Sequence, residues 1–185
     1  MRVIAGKYKN RILKTVADNS VRPATDKVKG AIFNVMQSRV DWTQSVVLDL
    51  YAGSGSVGIE ALSRGAQRVV FVENSRSALQ FLKMNLDTVG ANGNAQVVFG
   101  DVEKFLQSSL TKYSVVFADP PYALEALADL PTKIFERDIV AAGGYLIIEH
   151  PARFEFHPGS LWEIVAHKEY GRTNVSFFQH KKIEQ

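Results

Sequence analysis

Asp119, Pro120, Pro121 and Tyr122 follow the apolar run Val115–Ala118 in the segment "SVVFADPPYALEA". Val115, Val116 and Phe117 read as a buried strand. Proline has no N–H to donate and a fixed φ, so two in succession must end the sheet ladder. A carboxylate, a rigidly held carbonyl and an aromatic ring then stand together at the lip of the sheet. The Asp119 carboxylate and the Pro120 carbonyl can each accept one N–H of an aromatic exocyclic amine. Such an amine is a poor nucleophile while its lone pair is delocalised into the ring. Two fixed acceptors favour a pyramidal nitrogen with its lone pair aimed at an electrophile, which is catalysis by positioning. Tyr122 offers a ring on which an extruded base can stack. These four are the candidate catalytic residues, and the chemistry calls for neither a metal nor a covalent intermediate.

A second stretch, "LDLYAGSGSVGIEALSRGA", supplies a site for the electrophile. Gly53, Gly55 and Gly58 form G-x-G-x-x-G between a strand and a helix, and Glu73 follows Gly53 by 20 residues at the end of the next strand. Glycines let a backbone approach a ligand closely, and a carboxylate at that strand end can bind ribose hydroxyls. Dinucleotides and S-adenosyl-L-methionine both use this architecture. Asp49, within the strand end, favours S-adenosyl-L-methionine, because a carboxylate there can take an ammonium but would repel a pyrophosphate. Its alternative role is a loop cap. Asp101, in "VVFGDVEKF", either accepts from an adenine amino group or caps the following helix.

The remaining pattern must position these groups. "SVVLDL", "RVVFVE", "AQVVFG", "YSVVFA" and "GYLIIEH" read as strands. Between them lie expected helices at Val57–Arg64, closed by Gly65; after Ser75, with Leu79, Leu82 and Leu86; within "VEKFLQSSL"; and over Ile134–Ala141. "LWEIVAHKEYG" and "TNVSFFQH" form an antiparallel pair. Alternating apolar strands and helices predict an α/β, Rossmann-like, mostly parallel seven-stranded sheet with helices on both faces. If "SVVFA" lies beside "VVLDL", where strand order reverses, Asp119 faces the glycine loop. Upstream, "RVIAG" and "RILKTV" predict a small N-terminal β-hairpin around the turn "KYKN". Thr25 is expected to cap a helix carrying Val28, Ala31, Ile32, Val35 and Met36. The expected organisation is a basic hairpin over residues 1–20 and a catalytic domain over 21–185.

Composition narrows the classes. The 185 residues are 46% hydrophobic and 22% charged, ordinary for one compact domain. Without cysteine there are no disulfides, thiolate zinc sites or cysteine nucleophiles, and four scattered histidines make a His-based metal site unexpected. No run approaches a membrane span, and "MRVIAGKYKN" reaches a lysine too soon for a signal-peptide core, so a cytoplasmic protein is expected. Residues 1–30 carry a net charge of +6 and the remainder −3. A basic head on a mildly acidic body suggests a face for a polyanion, against the alternative of a solvated segment.

"DPPY" resembles the Asp/Asn-Pro-Pro-aromatic motif of amino-group nucleic-acid methyltransferases. Together, "RPATDKVKGAIFNV", "LDLYAGSGSVGIEALSRGA", "VVFVE" and "ADPPY" resemble the bacterial small-subunit ribosomal RNA (guanine-N2)-methyltransferase family, which modifies guanine 966 of 16S rRNA. The resemblance runs from "RVIAGKYKNR" to "EYGRTNVSFF". It implies a class I methyltransferase in which Asp49, Tyr51, Ala52, Gly53, Ser54, Gly55, Glu73 and Asp101 contact S-adenosyl-L-methionine, and Asp119–Tyr122 hold the guanine. It also implies RNA contacts from the N-terminal hairpin, with Arg2, Lys7, Lys9 and Arg11, and from Arg22–Asn34, with Arg22, Thr25, Lys29 and Asn34. Arg22 and Asn34 could instead stitch the first helix to the body. The implied partner is 16S rRNA, free or within the small subunit, with the protein a monomer.

Gly30 stands where the family usually has glutamate, which weakens the helix or lets another group approach closely. Tyr51 replaces the commoner phenylalanine. His150, at a strand end near the crevice, reads as a general base or as a satisfied loop histidine. Two other functions compete. One is adenine-N6 methylation of DNA or RNA, since "DPPY" serves either amine. The other is a Rossmann-type oxidoreductase or binding protein, against which Asp49 and the prolines argue.

Overall fold

The computed structural model describes residues 1–15, 24–121 and 127–182, and for Ala24 and Thr25 the backbone only. Arg22 and Tyr122, two of the expected site residues, lie outside the described residues, as does the side chain of Thr25. Seven strands form one sheet: β1 (Val46–Leu50), β2 (Arg68–Glu73), β3 (Ala95–Phe99), β4 (Tyr113–Ala118), β5 (Val140–Pro151), β6 (Trp162–Tyr170) and β7 (Thr173–His180). Their order is β3-β2-β1-β4-β5-β7-β6. The first five pair in parallel, whereas β7 runs antiparallel to both β5 and β6, so the sheet is mixed. Strand order reverses between β1 and β4, with Leu50 opposite Ala118. The expected switch point is therefore present, and both motif-bearing strands end at it.

Among the described residues five α-helices flank the sheet: α1 (Ala24–Met36), α2 (Ser56–Ser63), α3 (Arg76–Val89), α4 (Val102–Ser108) and α5 (Leu130–Glu136). Successive strand residues face opposite ways, and this divides the core in two. Val47, Phe71, Phe117 and Ile147 pack with Phe33 of α1, Ile59 of α2 and Leu82 of α3. Leu48, Val70, Val116 and Leu146 pack with Leu106 of α4 and Ile134 of α5. Both faces are covered, as the near-continuous apolar strands require. Among the described residues no helix is long and apolar enough to cross a membrane.

Several boundaries differ from expectation. The helix expected over Ile134–Ala141 is α5, which starts earlier because Pro131 suits a first turn. It ends before Asp138, whose φ of 55° breaks the helical path, and Val140 and Ala141 belong to β5. Thr25 lies inside α1 rather than ahead of it. In the head, a single antiparallel bridge, Arg2 to Ile12, replaces the expected pair of strands. Its limbs are joined by Val3 N–H to Arg11 O and Asn10 N–H to Val3 O, and the chain reverses over residues 7–10. Val3 and Leu13 sink into the core beside α1, so the limbs turn inward instead of extending as a free ribbon.

Candidate active site at the carboxyl ends of the strands

Three carboxylates converge where β1, β2 and β4 end. Asp49 is 4% exposed, and its Oδ2 accepts from Gly58 N–H of α2 at 2.9 Å. Burial pushes its carboxyl up to about 8, and the negative charges of Asp119 and Glu73 add to the rise, against the opposing pull of the Gly58 N–H. Glu73 is buried at the end of β2. Its Oε2 accepts from Gly53 N–H and its Oε1 from Ser75 N–H, each at 2.7 Å. A carboxylate has about four acceptor positions, so capacity remains for ligand hydroxyls. Asp119 is exposed just beyond Ala118, with Pro120 buried and Pro121 exposed.

The connecting loop is shaped by backbone constraints. Tyr51, Gly53 and Gly55 have φ of 56°, 57° and 80°. For Tyr51, a bulky residue, that is an outlier, and such strain concentrates at ligand sites. A side chain on Gly55 would meet Leu82 Cδ1 at 2.2 Å, while one on Gly53 would come no nearer than 4.0 Å to Tyr51 O. Gly58 lets α2 lie against β2, since a Cβ there would sit 2.2 Å from Phe71 Cε1. The glycines thus divide their work: Gly53 turns the loop and leaves room, Gly55 starts α2, and Gly58 permits helix–strand contact. Gly55 offers no side-chain cap, so the positive end of α2 opens toward the loop.

Asp101 caps α4, accepting from Lys104 N–H at 3.0 Å. Capping uses one oxygen of an exposed carboxylate and leaves adenine contact possible through the other. The half-buried Tyr51 hydroxyl is raised to about 12, by burial first and then by Asp101 and Glu103, so it stays protonated. His150 is buried in β5, not in a loop. Its Nε2 lies 2.9 Å from Ser176 Oγ and its Nδ1 3.1 Å from Pro151 O. Burial lowers its pKa, and both nitrogens are already partnered.

Arg2, Lys7, Lys9, Arg11 and Lys14 are all exposed on the head, as is Asn34 on α1. Lys29 is 3% exposed: its ammonium donates to Arg2 O and Ser56 Oγ and lies 3.7 Å from the fully buried Glu60. Desolvation lowers the Lys29 pKa, and Glu60 and Asp26 oppose that shift. An ammonium so enclosed holds the head to the body and is not placed to meet a phosphate. At Gly30 a Cβ would lie 3.4 Å from Ile4 Cδ1, a van der Waals contact with a flexible side chain, so the head packs beside this position without requiring glycine there.

Sequence reasoning missed Glu60, Ser63 and Asn85. Glu60 accepts from the N–H groups of Ile4 and Ala5, Ser63 Oγ accepts from Tyr8 N–H, and Asn85 bonds Lys14 and Ser54. A signal existed for Asn85, which occupies the same helical stripe as Leu82, Leu86 and Val89, where a polar residue needs a dedicated partner.

Comparison with known proteins agrees with this geometry. Residues 1–179 match the model of the family described as Conserved hypothetical protein 95. The chain is 39% identical to the Bacillus subtilis protein named "Putative rRNA methyltransferase YlbH", over 98% of this chain and 100% of that one. It is 31% identical to Ribosomal RNA small subunit methyltransferase D of Escherichia coli, over 93% and 90% of the two chains. The solved structure "Putative methyltransferase yhhF from Escherichia coli" superposes with a TM-score of 0.85 at 29% identity, covering 98% of each chain. The chain belongs to the Conserved hypothetical protein 95 family and is a methyltransferase of the kind represented by ribosomal RNA small subunit methyltransferase D.

Proposed function

We propose that this protein transfers a methyl group from S-adenosyl-L-methionine to the exocyclic N2 of a guanine in 16S rRNA, guanine 966. The observation that carries the cofactor is the convergence of Asp49, Glu73 and Asp119, since the charges acting on buried Asp49 are themselves negative. Such a site favours a ligand bearing an ammonium and a sulfonium and disfavours a pyrophosphate. Asp49 takes the ammonium, Glu73 the ribose hydroxyls, the α2 end the carboxylate, and Asp101 the adenine edge. The cofactor supplies an electrophilic methyl. Asp119 and the Pro120 carbonyl hold the amine so that its lone pair faces that methyl, and Tyr122 stacks the base. The bond formed is nitrogen to methyl carbon and the bond broken is methyl carbon to sulfur. The proton on that nitrogen passes to the Asp119 carboxylate, which already accepts its hydrogen bond, and from there to solvent.

The names of the relatives support rRNA as substrate, and the exposed basic head supports a polyanion. The protein acts as a cytoplasmic monomer, with residues 1–20 as its RNA-binding head and 21–185 as the catalytic domain. Tritiated methyl transfer to 16S rRNA, naked and within the small subunit, followed by nucleoside analysis, tests the reading. Labelled N2-methylguanosine at position 966 is expected. Labelled N6-methyladenosine would favour the adenine enzyme, and no labelling of either substrate would remove the rRNA assignment.

A further inference from the structure

Among the described residues four buried polar side chains hold the head on the body, and they fall into two kinds. Glu60 and Ser63, both on α2, bond the first limb of the head and its turn: Glu60 takes Ile4 N–H and Ala5 N–H, and Ser63 takes Tyr8 N–H. The other two reach the head and, at once, the glycine loop or the first residue of α2 that follows it. Asn85, 1% exposed on α3, accepts from Lys14 N–H at 2.8 Å through Oδ1. Its Nδ2 donates to Lys14 O at 2.8 Å and to Ser54 O at 2.9 Å. Lys29 donates to Arg2 O at 2.8 Å and to Ser56 Oγ at 2.9 Å. Each limb is therefore tied to one of the two serines that flank Gly55.

The Asn85 amide is fully specified by these contacts. Its two N–H donors address different carbonyls, one in the head and one in the loop, while its oxygen holds the amide of the same head residue. A planar amide cannot satisfy all three unless Lys14 and Ser54 keep one relative placement. Ser54 belongs to the loop that receives the cofactor, and Lys14 ends the basic limb that receives RNA. Resting on the function proposed above, we infer that Asn85 is a positioning residue that couples the two sites, so that cofactor in the loop raises the affinity of the head for RNA. A ligand that fixes Ser54 fixes the amide and with it Lys14. The second ligand then meets a surface already ordered, and by linkage each raises the affinity of the other by the same factor. Ser63 supplies docking without this link.

The test is calorimetric affinity for S-adenosylhomocysteine, with and without saturating 16S rRNA, in the wild type and in Asn85→Ala, Asn85→Asp and Ser63→Ala. The wild type should bind S-adenosylhomocysteine about fivefold or more tightly when RNA is present. The ratio should fall to about one in Asn85→Ala. It should fall likewise in Asn85→Asp, which keeps the acceptor but loses both donors. Ser63→Ala should keep the wild-type ratio. A ratio near one in a wild type that binds both ligands would overturn the coupling and leave the function standing. Retention of the full ratio in folded Asn85→Ala, or an equal loss in Ser63→Ala, would also overturn it. Failure of the wild type to bind rRNA in any form would remove the functional reading and the coupling together. Should Asn85→Ala not fold, amide exchange in the wild type decides. S-adenosylhomocysteine alone should slow exchange of the Lys14 N–H about fivefold or more, and an unchanged rate would refute the link.

Discussion

Asp49 carries an electrostatic conflict that binding can relieve. Its folded pKa of about 8 stands above an unfolded value of about 3.9, so between those pH values the folded chain holds a proton that the unfolded chain does not. The unfolded state binds fewer protons there, and stability attributable to Asp49 falls as pH rises from about 4 to about 8, then levels off. Urea titrations of the ligand-free protein should show this decline, and Asp49→Asn should flatten it. Equal pH profiles for the two proteins would place the conflict elsewhere. The ammonium of the cofactor reverses the preference by stabilising the carboxylate. At about pH 7, binding should therefore release protons, detected as a dependence of calorimetric heat on buffer ionisation enthalpy, and the Asp49→Asn protein should release fewer. Asp119, by contrast, touches the substrate amine in the proposed mechanism. Asp119→Ala should retain cofactor binding, since Asp49 and Glu73 remain, with at most a modest loss from the missing charge, yet transfer methyl about 100-fold or more slowly. Near-normal turnover in that variant would end the positioning mechanism.

At the scale of elements, the glycines show how local strain serves the site. Gly58→Ala would drive a methyl against Phe71, which is fully buried and cannot swing aside, and against Asp49 Oδ2 at 2.9 Å. Helix α2 must then lift from β2, at about 1–3 kcal/mol, with loss of cofactor affinity because the loop ends in that helix. Gly90→Ala makes the contrasting case. It closes α3 at a φ of 69° with nothing within 4 Å, so the cost is about 1 kcal/mol from backbone strain, with cofactor binding retained. Urea denaturation paired with calorimetry separates the two, and equal cofactor affinity in both variants would detach α2 position from binding. Much at this scale was readable from the sequence, because it depends on neighbours. Ser75 caps α3 and Gly65 follows the end of α2 at a φ of 109°, as periodicity and turn chemistry imply, and β1 meets β4 at the reversal, the condition on which Asp119 is expected to face the glycine loop. The start of α5 was missed because Pro131 acts as a helix starter there, and the inward turn of the head because it depends on Glu60, about 55 residues away. The resemblance implies Lys29 as an RNA contact, and the distant partners that bury it, Ser56 and Glu60, are not visible in the local sequence.

For the whole molecule, the distribution of charge must satisfy two ligands of opposite sign. The carboxylates at the strand ends suit a cationic cofactor but repel RNA phosphates, so the phosphates must be held elsewhere while one base enters. The head provides that separation, with Arg2, Lys7, Lys9, Arg11 and Lys14 exposed and Lys29 withdrawn into the fold. Contacts of this kind act through counterion release and carry no sequence information, leaving base choice to the crevice. Each phosphate contact should contribute about −0.7 to the slope of log affinity against log salt on a single strand. Neutralising Lys7, Lys9 and Arg11 together should flatten that slope by up to about 2 units. Affinity for S-adenosylhomocysteine without RNA should be unchanged, because these exposed side chains take no part in the Asn85 link. Filter retention of 16S rRNA across a salt series measures the slope, with Asp119→Ala as the control that binds but does not turn over. An unaltered slope in the triple variant would mean that the head is a solvated edge, and the RNA face would then have to be sought around Asn34 on α1.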